Sequence, residues 1–275
     1  MSNSWTSLNI NTNQLDQSII SSYFEQYSLG NQYLDQEVIM YFLLKHKKVV
    51  NDIVLKLDKK YNIDYNWKII KSENWMTNWK KYFKPVSIDE KVVIIPDWDQ
   101  NEYKNPLVVK IFPAMAFGTG HHQSTQLMIR QMIKYDIGKY KKILDVGCGS
   151  GVLSITAKLM GSRIVDAIDN DLICRENFKK NCNLNKIKDI NFSIEDVGDY
   201  SNYNYDVILA NIDRNNILKI LKSYQESNSS AILIVAGLLD IDSSFIQDAL
   251  NGYCSESLMQ MDEWISLVIR KEADL

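Results

Sequence analysis

Residues 145–151 read Asp-Val-Gly-Cys-Gly-Ser-Gly, and Asp169 follows 22 residues after Gly147. Glycines packed this closely allow positive φ and let the backbone approach a ligand. The spacing is GxGxG, not the GxGxxG of dinucleotide binders, and no Walker lysine is present. An acid at the end of the strand after such a loop can accept both hydroxyls of a ribose. The pattern predicts an adenosine-containing cofactor held by Gly147, Gly149 and Asp169, with S-adenosylmethionine favoured over NAD or ATP.

A second cluster, residues 116–125, reads Ala-Phe-Gly-Thr-Gly-His-His-Gln-Ser-Thr. A helix is expected to start near Ser124, because Leu127, Met128 and Met132 recur at helical spacing. Its free N–H groups and the hydroxyls of Ser124 and Thr125 suit a carboxylate, such as the methionine end of the cofactor. Phe117 can cover an adenine or simply pack. His121 and His122 are two of three histidines. They read as hydrogen-bonded loop structure or, for His122, as a catalytic helper. Asn211 directly follows the apolar run 207–210 and offers a neutral acceptor and a neutral donor where open α/β sheets bind ligands. It is the leading catalytic candidate. Asp196 reads equally as an adenine contact or a surface acid. No metal site is expected.

These residues need elements to hold them. Residues 207–210 and 231–236 are continuous apolar runs of the kind found in strands buried on both faces, 143–146 is a short apolar strand, 164–168 reads as the next strand, and 191–194 is strand-like. Helical periodicity separates them, which predicts an α/β, doubly wound, Rossmann-like sheet. Residues 1–72 alternate strand, helix, strand, helix, strand and predict a small α+β sandwich of ferredoxin-like type. This block carries 8 basic and 7 acidic residues, so it has no strong electrostatic footprint. All four prolines (Pro85, Pro96, Pro106, Pro113) lie in one stretch, which reads as an extended connector. Trp75, Trp79 and Phe83 are four apart and predict one face of a helix there. The expected division is residues 1–72, a linker 73–110, and 111–275.

Composition excludes several classes. The 275 residues carry 31 Lys+Arg and 34 Asp+Glu, a net charge of −3, which argues against a basic nucleic-acid-coating protein. The longest apolar run, 231–239, is far short of the ~20 residues a membrane span needs. No signal peptide is visible at the N-terminus. The four cysteines form no CxxC pair and no Cys/His metal spacing, so a reducing cytoplasm is the default compartment.

Several segments together resemble the PrmA family, the methyltransferases of large-subunit ribosomal protein L11. They are Asn74-Trp75, Asn78-Trp79, Phe83-Lys84-Pro85, residues 116–125, residues 145–151, residues 168–171, Ala210-Asn211-Ile212 and Gly237-Leu238-Leu239. The resemblance spans roughly residues 73–270. It implies a class I S-adenosylmethionine-dependent methyltransferase domain behind an N-terminal ferredoxin-like substrate-recognition domain. It carries over Thr125, Gly147, Asp169 and Asn211 as cofactor contacts. It implies methyl transfer to lysine ε-amines and/or the N-terminal α-amine of ribosomal protein L11, by a monomer that requires neither nucleic acid nor a membrane. Two departures stand out: the N-terminal block is one strand short, and Asp213-Arg214 replaces small or apolar residues after Asn-Ile. Two competing readings are a class I methyltransferase acting on another protein, a nucleic acid or a small molecule, and a cofactor-binding interaction protein without turnover. The absence of an Asn/Asp-Pro-Pro-Tyr/Phe motif weighs against nucleic acid.

Overall fold

The computed structural model describes residues 5–11, 20–21, 23–24, 27–28, 30–34, 36–70, 83–112 and 120–272. The chain divides into two compact units, Met1–Phe83 and Lys84–Leu275.

The first unit holds β1 (Trp5–Asn11), β2 (Gly30–Leu34), β3 (Glu37–Leu43), α1 (Lys47–Tyr61) and β4 (Tyr65–Ile70). Its sheet runs β2-β3-β1-β4, and every neighbouring pair is antiparallel. Alternate residues of β3 (Val38, Met40 and Phe42) point into the core with Val50, Val54 and Leu57 of α1. Of the helix expected within residues 15–27, Ile20 and Ser21 are helical, and Ile20 and Phe24 reach this core; several other positions lie outside the described residues.

The block is not one strand short. Gly30–Leu34 supplies the fourth strand and completes the β-α-β-β-α-β pattern. This segment escaped the sequence reading because it opens on glycine and two amides, residues of low strand propensity. It is an edge strand, paired only with β3, so the sheet imposes no two-sided apolar pattern on it.

The second unit begins with β5 (Val86–Ile88), β6 (Val92–Pro96) and β7 (Leu107–Ile111), a three-stranded sheet in that order. The expected linker 73–110 is therefore corrected from residue 84 onward. Ile88, Val92, Ile94, Val109 and Ile111 share one core with Met128, Met132 and Ile155. The prolines misled because they punctuate strands here: Pro85 precedes β5, Pro96 closes β6 and Pro106 precedes β7. Trp75 and Trp79 lie outside the described residues, and Phe83 is not helical.

The rest of the unit is α2 (Gln123–Lys134), β8 (Lys142–Val146), α3 (Val152–Met160), β9 (Ile164–Asp169), α4 (Leu172–Leu184), β10 (Ile190–Ile194), β11 (Val207–Asn211), α5 (Arg214–Glu226), β12 (Ile232–Leu239), α6 (Ser243–Asp248), β13 (Tyr253–Met261) and β14 (Trp264–Lys271). The seven strands run β10-β9-β8-β11-β12-β14-β13. The first five are parallel, and β14 inserts antiparallel between β12 and β13.

Successive residues of one strand enter different cores. Ile143, Val207, Leu209, Ile232 and Ile234 pack toward α2, α3 and α4. Leu144, Val146, Ile208, Ala210, Leu233 and Val235 pack toward α5 and α6. Double-sided burial makes the central strands β11 and β12 almost wholly apolar, and the sheet is doubly wound. The order reverses between β8 and β11, so a crevice opens at their carboxyl ends.

If residues 84–111 belong to this core, Ile94→Ala should destabilise the second unit by about 2–5 kcal/mol. Chemical denaturation would check this; an unchanged midpoint would return the segment to the status of a tether.

Candidate functional site

A cavity of about 520 Å3 opens at the carboxyl ends of the strands. Its wall includes Gly147 and Gly149 from the β8–α3 loop, Asp169 from β9, Asn211 from β11, Gly237 from β12, His122 from the start of α2, and Trp264 from β14. A larger groove of about 700 Å3 lies at the opposite strand ends, among Asn204, Ser229 and Arg270. The glycine loop and the strand-end acid are not part of it, so the chemistry is assigned to the smaller cavity.

The loop is shaped by its glycines. Gly147, Gly149 and Gly151 all have positive φ. A Cβ at Gly147 would meet Ile212 Cγ2, so both conformation and space demand glycine there. The Gly147 N–H donates to Ile168 O at 2.9 Å, which seats the loop on the end of β9.

Asp169 organises what surrounds it. Its Oδ2 accepts the Gly149 N–H at 2.8 Å, and its Oδ1 accepts the Asp171 N–H at 2.9 Å. Each carboxylate oxygen can accept a second hydrogen bond, so a diol can be taken without breaking either backbone bond. The group is 9% exposed and lies on the cavity wall. Asp196 is not itself part of the cavity wall: its Oδ1 accepts the Gly198 N–H at 2.7 Å, and its Oδ2 accepts the amide of Asn170, which is on the wall, at 3.3 Å.

Below the loop lies Asp145, which is fully buried. Its Oδ2 accepts the Ser154 N–H at 3.0 Å and the Ser154 hydroxyl, and so caps the first turn of α3 from a distance. Its Oδ1 is buried without a partner. Burial, with a smaller contribution from Asp169, pushes this carboxyl up to about 7. Burial also raises the thiols of Cys148 and Cys174 on the cavity wall, which keeps them protonated.

Asn211 is 8% exposed. Its Nδ2 donates to Thr125 Oγ1 at 3.3 Å, and its Oδ1 has no partner. An orphaned buried acceptor on a cavity wall is costly unless a ligand supplies the donor. Thr125 itself is fully buried and does not form part of the wall. The structure therefore places it behind Asn211, where it aligns the amide, and not on the cavity surface as expected.

His122 is on the wall but occupied. Its Nδ1 accepts the Ser124 N–H at 3.3 Å and pairs with Ser124 Oγ at 2.8 Å, capping α2. Its ring meets Trp264 edge-on at 4.5 Å. Burial holds the imidazole below its ordinary pKa range. His122 thus caps α2 and packs on Trp264 at the cavity wall. Phe117 lies outside the described residues.

Trp264 was missed, and no local pattern could have revealed it. It reaches the cavity only because β14 pairs antiparallel with β12, opposing Trp264 to Leu239.

A family model described as ribosomal protein L11 methyltransferase (PrmA) matches residues 4–272. The chain belongs to this family. The L11 methyltransferase of Anoxybacillus flavithermus is 33% identical over 237 residues, covering 82% of this chain and 74% of the relative. That of Dictyoglomus turgidum is 30% identical over 276 residues, covering 96% and 89%. The crystal structure of the ribosomal protein L11 methylase from Lactobacillus delbrueckii subsp. bulgaricus matches with a TM-score of 0.63 at 25% identity, covering 69% of this chain and 99% of that one. The second unit is accordingly a class I methyltransferase domain whose cofactor is S-adenosylmethionine. The wall fits that molecule: a strand-end carboxylate for the sugar, glycines for close approach and an orphaned amide oxygen.

A carboxyl raised in the folded state favours that state at low pH and loses its contribution as pH rises. Asp145 should therefore stabilise fully below about pH 4 and progressively less up to about pH 7. Asp145→Asn should gain stability relative to the unaltered protein as pH rises through this window. Urea unfolding at pH 5 and pH 7.5 measures the difference; an equal gap at both values would show that Asp145 ionises like an exposed acid.

Proposed function

We propose that the protein transfers the methyl group of S-adenosylmethionine to lysine ε-amines and/or the N-terminal α-amine of ribosomal protein L11. Family membership supports the substrate, because the relatives bear that name. The observation that carries the site assignment is the pairing, on one cavity wall, of Asp169 with the unpartnered Asn211 oxygen.

When bound, S-adenosylmethionine supplies a methyl group on a positively charged sulfonium. Asp169 would accept its ribose hydroxyls while keeping the Gly149 and Asp171 N–H groups. Gly147 and Gly149 let the backbone lie against it.

Asn211 is left to face an amine. A free lysine at pH 7 is protonated, and reaching the neutral nucleophile costs roughly 4.6 kcal/mol. An amide oxygen can accept one amine hydrogen and aim the lone pair without adding negative charge. A carboxylate at this position would stabilise the ammonium form and oppose the reaction. Thr125 holds the amide in that orientation. No dedicated base is needed, because the amine can lose its proton to water at the cavity mouth. Orientation then supplies most of the acceleration.

The first unit is assigned to substrate recognition. The reaction as proposed needs a single copy of the chain and no nucleic acid. Among the described residues no helix is long and apolar enough to cross a membrane. The four cysteines are free, which suits a cytoplasmic setting.

Purified large-subunit proteins and ribosomal RNA incubated with radiolabelled cofactor test the assignment. Label in L11 is the expected outcome, and label in RNA would replace the substrate class. Asp169→Ala should weaken cofactor binding roughly 100-fold or more by calorimetry, since two hydrogen bonds to a charged acceptor are lost. Asn211→Ala should lower turnover roughly tenfold or more, the equivalent of one well-placed hydrogen bond. Unchanged turnover would remove Asn211 from the reaction.

A further inference from the structure

Any chain that places an amine in the cavity must lay its neighbouring residues on the rim, because each extended residue advances only ~3.3 Å. The rim beyond β11 and β12 has a distinctive make-up. Ile241 is 69% exposed and Phe245 is 54% exposed. They are four residues apart in the short helical stretch that follows β12. Large apolar side chains presented together to solvent mark contact surfaces more often than isolated ones do.

This patch is tied to the cavity from both sides. The Asp240 N–H donates to Glu263 O at 2.9 Å, next to Trp264 on the cavity wall. Across the patch, Arg214 Nη1 donates to Asp242 Oδ1 at 2.8 Å, and its guanidinium lies 4.7 Å from the Phe245 ring centre. Arg214 thus fixes Phe245 in place, and its own charge is balanced by Asp242.

Further carboxylates accompany the patch. Asp213, Asp240, Asp262 and Glu263 are exposed carboxylates, and among the described residues none of them is in an ion pair. At the foot of this rim the nine-tenths-buried Asn211 leaves its Oδ1 without a donor. Asp213-Arg214, the departure noted after Asn-Ile in the sequence, is part of the arrangement.

We propose that this rim docks a basic segment of the protein substrate, with Ile241 and Phe245 taking an apolar side chain and Asp240 and Glu263 pairing with lysines that flank the target amine. The proposal rests on the methyl-transfer reading above and adds to it a recognition surface within the second unit itself. Unpaired carboxylates complement a lysine-rich peptide and repel a phosphate backbone, so the surface suits a protein and not an RNA. They also keep flanking lysines charged, while the target amine passes beyond them to the neutral Asn211 amide.

The test uses the full chain and purified ribosomal protein L11, with Phe245→Ser, and with Asp240→Lys combined with Glu263→Lys. All of these positions are exposed and lie outside the cofactor contacts, so calorimetric affinity for S-adenosylmethionine should stay unchanged and report an intact fold. Each variant should raise KM for L11 roughly fivefold or more with kcat little altered. The charge-reversed variant should also lose most of the fall in kcat/KM that added salt causes in the unaltered protein. KM and salt dependence unchanged in both variants, with label still entering L11, would overturn the docking surface alone. An unaltered protein that binds cofactor but leaves L11 unlabelled would overturn the substrate assignment and this surface together.

Discussion

The Asp169 carboxylate takes one backbone N–H on each oxygen, from Gly149 in the loop after β8 and from Asp171 in the loop after β9. Two irregular segments from neighbouring strands are thereby locked to one rigid group at 2.8 and 2.9 Å. Charge-assisted bonds of this kind are shorter and stronger than neutral ones. The positive φ values of Gly147 and Gly149 are held by these bonds and by the seat on Ile168. The acid that would grip a sugar is therefore also the acid that builds the surface against which the sugar would lie. Preorganisation comes from this double use, since no reorganisation is required when a ligand arrives.

The other polar groups of the crevice follow the same economy. Asp145 has no counter-ion and remains tolerable because Ser154 donates twice to one oxygen while burial favours the protonated form. Thr125 accepts one N–H of the Asn211 amide, whose oxygen stays open. His122 caps α2 and leans on Trp264, so the helix start becomes a wall. In each case a side chain on one element satisfies the backbone or side chain of another. The cavity is thus a product of sheet order as much as of any one loop.

Much of this was legible in the residues. The mainly apolar segments ending in Val146, Asp169 and Asn211 identified three neighbouring strand ends, because central strands of a doubly wound sheet bury most of their side chains on both faces. The glycine loop was legible because three glycines two apart answer a need for positive φ, and at Gly147 the half-buried Ile212 also leaves no room for a Cβ. The three-stranded sheet of residues 86–111 was not legible. Proline clustering suggested a tether, and only the packing of Ile94 and Val109 against α2 and its neighbours makes it core. Strand β2 was hidden for the opposite reason, as an edge strand of low-propensity residues with one partner.

By itself the sequence settled the local matters: which segments are strands buried on both faces, where the backbone must turn on glycine, and which acid closes the crevice. These are short-range constraints set by side-chain period and backbone sterics. Only the tertiary structure decided that Thr125 stands behind Asn211, that His122 is committed to a helix cap, and that Trp264, 95 residues beyond Asp169, completes the wall. Those facts depend on the antiparallel insertion of β14 beside β12, a pairing across the chain for which no spacing of residues leaves a signature.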